Sequence, residues 1–307
     1  MTHFKNLIEI TQYFSDNNVC VEYLTNMRWK GNVTCAHCKH DKVYELKGAT
    51  KAYKCAKCRK LFSVTKGTIF ENSPIPLQKW FIAMYLLLSH KKGISSCQLA
   101  KDISISQKSA WFLLHRIRFA VQSKSFEMPA TSIVECDESY FGGKEKNKHK
   151  SKRIEGSQGR SSKTKTPVFG LVERNGRVVA MKVPDTQKHT IQPIIDAHVV
   201  VGAKVMTDEW QAYKGLDNRF KHGIVKHGEG IYVIGEAHTN TIEGFWSQLK
   251  RSIYGCYHQC SAKHLDAYID ESETRYNTKD LLDYERFENV ITLTDKRLTY
   301  SNLTNGK

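Results

Sequence analysis

The chain changes character near residue 132 when it is read by where its apolar residues recur. Before that point the spacing is helical. A strongly apolar run from Leu77 to Ser89 predicts a buried helix, entered through Pro74 and Pro76 and broken by Gly93. Two shorter helical patterns follow. Ser95 and Gln98 have the capping-box spacing that opens the first, and Ser106 stands where it would cap the second. The link Ile103-Ser104-Ile105 makes the pair either a helix-turn-helix or a plain helical hairpin, because the turn lacks the usual glycine. The second helix is expected to bury Ala110, Leu113, Leu114 and Ile117 and to expose Gln107, Lys108 and Arg116.

From Ser132 the pattern turns to strands. SIVECDESYF alternates and carries Asp137 in or near the end of the first strand. PVFGLVE and RVVAMKV flank Asn175-Gly176, a strong hairpin signal. A helix over 187–198 comes next, then the buried strand AKVMTD, which ends on Asp208, and a further short strand. HTNTIEGFWSQLKR, residues 238–251, has the apolar stripe of an amphipathic helix in Ile242, Phe245, Trp246 and Leu249. Glu243 and Lys250 share one side of it two turns apart; Asn240 lies one turn before Glu243, and His238 marks the start. This order, three antiparallel strands and then α/β units, describes an α/β, RNase H-like fold. In such a fold the first strand, a later strand end and a following helix converge on one side of the sheet. Asp137, Asp208 and Glu243 occupy those three places. Three converging carboxylates repel one another unless cations neutralise them, which suits two Mg²⁺ ions with oxygen ligands. Glu135 and Glu138 are further acids beside Asp137, and Glu135 shares its strand face. His238 fits either proton transfer or helix capping.

Composition adds a partner. The 307 residues carry a formal charge of +16 and an isoelectric point near 9.3, which suits a polyanion such as nucleic acid. KEKNKHKSKRIEGSQGRSSKTKT, residues 144–166, concentrates Lys, Arg, Ser and Gly directly after the acidic strand. It is expected as a mobile basic insertion with Lys150, Lys152 and Arg153 on DNA phosphates. No apolar run of about eighteen residues occurs, and MTHFKNLIEI lacks the pattern of a signal peptide. A cytoplasmic, nucleoid-associated protein with no membrane partner is the expectation.

Nine cysteines argue for metal rather than a disulfide framework in such a chain. Four of them form Cys35-Ala-His-Cys38 and Cys55-Ala-Lys-Cys58, two knuckles that place four thiolates around one Zn²⁺ in a closed, structural site. His37 and His40 are not needed as ligands. Cys20, Cys97, Cys136, Cys256 and Cys260 have no such spacing and are expected as small buried hydrophobes. The domains are expected at 1–66 (N-terminal helix and zinc ribbon), 67–128 (helix-turn-helix region), 129–280 (RNase H-like domain) and 281–307 (tail).

The two knuckles, GTIFENSPIPLQKW, KKGISSCQLAKD, QKSAWFLLHRIR, VECDESYFGGK, TDEWQAY, HTNTIEGFWSQLKR and YGCYHQCSAKHLDAYIDESETRYN span nearly the whole chain. In them the sequence resembles the DDE-type insertion-sequence transposases that carry an N-terminal zinc ribbon, the ISXO-type group. The resemblance implies Asp137, Asp208 and Glu243 as a catalytic triad holding two Mg²⁺ or Mn²⁺ ions, with Lys250 as the basic residue after the Glu. Some members are described with Asn in the third position, so Asn240 competes with Glu243. The seven-residue step to Lys250, which puts both residues on one helical face, favours Glu243. Cleavage of terminal inverted repeats in double-stranded DNA and strand transfer into target DNA are implied. Lys108 and Arg116, exposed on the second helix, and Lys250 and Arg251 are the residues expected to touch DNA. So is a homodimer or larger synaptic complex. A domesticated relative that binds DNA without cutting it is the alternative.

Overall fold

The computed structural model describes all residues except 1–3, 47–50, 123–128, 144–146, 148, 155–163, 226–232, 234–237 and 306–307. It is a mixed α/β protein of two units, Met1–Gln122 with Thr278–Lys307, and Ser123–Asn277.

The first unit opens with two helices where the sequence suggested one, α1 (Leu7–Tyr13) and α2 (Asn17–Trp29). The Asn6 and Asp16 side chains cap them, accepting from the Glu9 and Asn18 amides. A three-stranded antiparallel sheet follows, β1 (Val43–Leu46), β2 (Ala52–Cys55) and β3 (Leu61–Ser63). Helix α3 (Leu77–Ser89) is apolar all round and is buried on nearly every side. Then come α4 (Ser96–Asp102) and α5 (Gln107–Val121). The Ser95 hydroxyl caps α4 as expected, but Gln98 turns its amide to Asp102 instead of completing the box. Between the helices Ser104 takes φ +50, the conformation for which glycine is usual. Gln107 ties them together by donating to the Ser96 hydroxyl at 2.8 Å. Cys97 is exposed on α4 rather than buried.

The C-terminal segment, expected as a tail, completes this core. Helix α9 (Asp283–Thr292) places Phe287 edge-on to Phe4 and Phe81, at 5.3 and 5.5 Å between ring centroids. A short helix, α10 (Tyr300–Asn305), follows.

Helix α5 corrects one expectation. Arg116 is not on the surface. It is 4% exposed, its guanidinium lies over the rings of Trp80 and Phe112, and it donates to the Glu71 carbonyl oxygen. His115 and Arg118 are buried beside it. Spacing alone leaves this side of α5 to solvent, but α3 and the C-terminal segment cover it. Lys296 reaches the Ala120 and Gln122 carbonyls there. Arg116 is therefore a buried structural cation, unable to reach DNA, and its pKa is lowered to about 10, chiefly by that burial. Lys108 does stay exposed, with its ammonium 5.2 Å over the ring of Tyr300.

The second unit is built on a five-stranded sheet. Its strands are β4 (Ile133–Phe141), β5 (Thr166–Glu173), β6 (Val178–Lys182), β7 (Lys204–Asp208) and β8 (Lys221–Val225), in the order β6-β5-β4-β7-β8. The first three strands are antiparallel, and β7 and β8 run parallel to β4. Asn175 turns the β5–β6 hairpin at φ +58. Alternation along the strands sorts the side chains into two layers. Val134, Cys136, Phe169, Leu171 and Val179 face α6 (Lys188–His198), together with Tyr213 and Leu216 from two short turns. Val168, Val172, Val178 and Ala180 face α7 (Asn240–Arg251) and α8 (Leu265–Asn277). A π-helical stretch, Ser252–Cys256, continues α7.

Helix α8 explains why its segment is so polar. It lies along the edge strand β6, whose outward N–H groups would otherwise be open to pairing with another chain. Glu273 accepts from the Ala180 amide, and Asn277 accepts from the Val178 amide at 2.8 Å while donating to its carbonyl at 3.0 Å. Of the expected insertion, Thr166 already belongs to β5, and Lys150–Lys152 forms one 3₁₀ turn with Lys150 and Arg153 exposed. Its basic residues at 144–146, 148 and 155–163, and the Lys152 side chain, lie outside the described residues.

Candidate metal centre and active site

The two cysteine knuckles are built alike. In each, the first Cys amide bonds to the carbonyl five residues on, Cys35 to His40 and Cys55 to Lys60. In each, the residue after the second Cys takes a positive φ, Lys39 at 60° and Arg59 at 57°. That repeated turn aims both pairs of sulfurs inward. The Cys35 and Cys58 sulfurs are 3.7 Å apart and those of Cys38 and Cys55 are 3.6 Å apart, close to the edge of about 3.8 Å that Zn–S bonds of about 2.3 Å impose on a tetrahedron. Amide hydrogens of His37 and Cys58 point at the Cys35 and Cys55 sulfurs, as thiolates require. Trp29, Tyr53 and Phe62 form the small core beneath. The site fits a structural zinc ribbon. Among the described residues these four are the group of possible metal ligands whose atoms all lie within 4.8 Å of one another.

The acids of the second unit are arranged more openly. Parallel pairing of β4 with β7 runs Ile133–Lys204, Val134–Val205, Glu135–Met206. Two residues beyond that last pair, on each strand, stand Asp137 and Asp208. Side chains two apart share a face, so both acids lie on the face that carries α7. Asp208 is 8% exposed and accepts from the Trp210 amide at 3.0 Å. Asp137 accepts from the Trp246 indole N–H at 3.1 Å. Glu138 points to the opposite face, where it accepts from Tyr213.

Glu135 has a different task from the one its position suggested. It is 0% exposed and binds the start of α7. Its carboxylate accepts from the Thr241 and Ile242 amides at 2.8 and 3.1 Å and from the Thr241 hydroxyl at 2.9 Å. Arg174 pairs with it at 2.7 Å and also reaches the His238 carbonyl, and His238 Nδ1 lies 3.1 Å away. The residue before α7, Thr239, makes no side-chain cap, so an acid from a neighbouring strand neutralises the helix N-terminus instead. His238 belongs to that anchor. Glu135→Ala strands Arg174 and two amides, and breaking a buried pair costs about 3–5 kcal/mol. We expect the melting temperature to fall by about 10 °C, measured by calorimetry, with Glu135→Gln falling less.

The anchor fixes which way α7 turns. Phe245, on one flank, meets Tyr276 of α8 at 5.7 Å between centroids, and Trp246, on the other, meets Asp137. Continuing in that direction, Lys250 lies about 40° and Glu243 about 60° beyond Trp246, and Asn240 about 120°. Across the sheet, the strand beyond β4 in that direction is β7, with Asp208. By helix geometry Glu243 and Lys250 thus lie on the side of α7 next to Trp246, and Asn240 is turned further round the helix. All three are exposed. Lys250 has its pKa lowered by partial burial and by Lys165, with Asp137 opposing the shift. Glu243 accepts from the Thr239 hydroxyl at 3.0 Å. Arg251 points elsewhere, to Ser247 at 2.6 Å. The three carboxylates are not drawn into one tight group like that of the cysteines.

Residues 129–277 match the ISXO2-like transposase domain, and residues 15–61 match the transposase zinc-ribbon domain. The chain is 29% identical over 239 residues, 74% of its length and 80% of the relative's, to an uncharacterized protein in transposable element ISH50 of Halobacterium salinarum. It is 28% identical over 106 residues, 34% of its length and 85% of the relative's, to an uncharacterized transposase-like protein of Haemophilus influenzae. No described helix is long and apolar enough to cross a membrane.

Proposed function

We propose, for a chain that belongs to the zinc-ribbon ISXO2-like family of transposases, that it cuts the ends of an insertion sequence and joins them to target DNA. The observation that carries this reading is the level placement of Asp137 and Asp208 on adjacent parallel strands, under the side of α7 that presents Glu243 and Lys250. The sheet order, with three antiparallel strands and two parallel ones behind them, supports an RNase H-like catalytic domain.

Asp137, Asp208 and Glu243 offer hard oxygen donors on one face, the donor set that Mg²⁺ or Mn²⁺ prefers. Two such cations, when bound, supply Lewis-acid stabilisation at the scissile phosphate and an activated water. The chain's own part is to hold the phosphate in line. Lys250 sits where its ammonium meets a phosphate oxygen near the acids, a task for which a point charge suffices. Hydrolysis leaves a 3′-OH on the element end. That hydroxyl then attacks a target phosphodiester and expels the target's own 3′ oxygen, so no covalent protein intermediate arises. Glu243 is preferred to Asn240 as the third ligand because its position on the helical wheel is about 60° nearer to Trp246, which meets Asp137.

The ribbon and the α4–α5 pair, read as a helix-turn-helix with Lys108 exposed on its second helix, would recognise the inverted repeats. Two chains would hold two ends. The test is incubation of the purified protein with Mg²⁺ and a labelled duplex carrying the element's terminal sequence. A nick with a 3′-OH at the element boundary supports the reading; specific binding with no nick supports a silent DNA-binding relative.

The insertion carries nine Lys and Arg against two Glu over 144–166. Deleting residues 144–163 is expected to flatten the plot of log affinity against log salt by about 0.9 for each phosphate that the shortened protein no longer neutralises. An unchanged slope in a filter-binding titration would mean that the insertion does not touch DNA.

A further inference from the structure

We propose that Trp246 is a positioning residue for Asp137: its indole N–H fixes the carboxylate, and Gly170 leaves the space the indole needs. The inference rests on the reading of Asp137 as a metal ligand. Asp137 and Gly170 are direct partners in the β4–β5 ladder, so the side chain that would normally stand beside Asp137 is missing. The indole fills that place from α7. A β-carbon at position 170 would stand 2.6 and 2.7 Å from Cζ2 and Cη2 of Trp246, closer than such atoms approach one another. Trp246 is 3% exposed, wedged between Phe141 and Phe245, and its Nε1 lies 3.1 Å from Asp137 Oδ2.

Packing alone does not account for this arrangement. A phenylalanine would fill much of the same space, but its ring offers the carboxylate oxygen that faces it no N–H, and an apolar contact to a charged oxygen is unfavourable. The indole is the aromatic side chain that offers one N–H donor and no acceptor. It therefore bonds to the ionised carboxylate and holds its plane. Glu135 grips the start of α7, so the indole cannot drift along the strand. Groups that orient a metal-binding carboxylate in this way are worth about 10–100-fold in metal affinity or activity.

The test compares Trp246→Phe with the native protein in Mg²⁺ titrations of end nicking. The half-saturating Mg²⁺ concentration is expected to rise at least about tenfold, with DNA binding unchanged. Gly170→Ala should show the same defect although the tryptophan is present. If Trp246→Phe folds poorly, the double variant Gly170→Ala, Trp246→Phe refills the space and serves in its place; it should fold but keep the metal defect. A second readout needs no catalysis. In ¹⁵N-tryptophan spectra of the five indoles, the Trp246 N–H signal, identified by its loss in Trp246→Phe, should shift with Mg²⁺ more than the other four, and should not do so in Asp137→Asn. A folded variant with native Mg²⁺ dependence, or a Trp246 signal that Mg²⁺ does not move, overturns the inference. If Asp137→Asn itself nicks with native Mg²⁺ dependence, the reading of Asp137 falls. If Asp137→Asn is inactive and Trp246→Phe is native, only the positioning role falls.

Discussion

Asp137→Ala and Asp208→Ala are each expected to lower nicking of the element end by at least about 10³-fold, because a bound cation supplies several kcal/mol at the transition state and each 1.4 kcal/mol is tenfold. Binding of the element end should persist, since the ribbon and the α4–α5 region lie in the other unit. The two acids stand at the same level on β4 and β7, so each variant removes one of a pair of neighbouring oxygen donors. Glu243→Ala is expected to match them. Asn240→Ala should cut normally, because Asn240 is turned away from the acids. Gel assays of nicking beside mobility shifts decide the matter. A dead Asn240→Ala with an active Glu243→Ala would move the third ligand to Asn240.

Cys55→Ser should release the zinc and unfold the ribbon. Structural zinc contributes about 10–16 kcal/mol to such small domains, and Trp29, Tyr53 and Phe62 are too few to hold the knuckles without it. We expect elemental analysis to show loss of the metal and proteolysis to cut within residues 30–66. The unit of Ser123–Asn277 should melt as before, because its core is separate. Full zinc content in the variant would overturn the cysteine assignment.

Much of this architecture was legible in local patterns. The apolar alternation of β4 and the Asn175-Gly176 turn depend on neighbours in sequence, and so does the spacing of the cysteines. The stripe of Ile242, Phe245, Trp246 and Leu249 likewise gave α7 and its buried face, with all four now in the core. What sequence did not disclose depends on distant partners. Arg116 stood on the open side of a helical wheel, and only α3 and the C-terminal segment bury it. Glu135 looked like a spare acid because the amides it binds lie more than a hundred residues away. The polar face of α8 had no meaning until β6 lay beside it. Trp246 counted as core by its spacing, but its N–H partner is set by the gap at Gly170. The acids themselves are proposed from strand ends and helix faces, whose periods are readable in sequence.

Asp137 and Asp208 are expected to hold divalent cations together. Fe²⁺ can replace Mg²⁺ at such oxygen sites and, with ascorbate and peroxide, cuts the polypeptide backbone where it is bound. Mapping the fragments by mass spectrometry should place cuts around residues 137 and 208, with a further cut near 243, all suppressed by excess Mg²⁺ and absent in Asp137→Ala. Cuts confined to the cysteine knuckles, or cuts at the acids that persist in Asp137→Ala, would contradict the account.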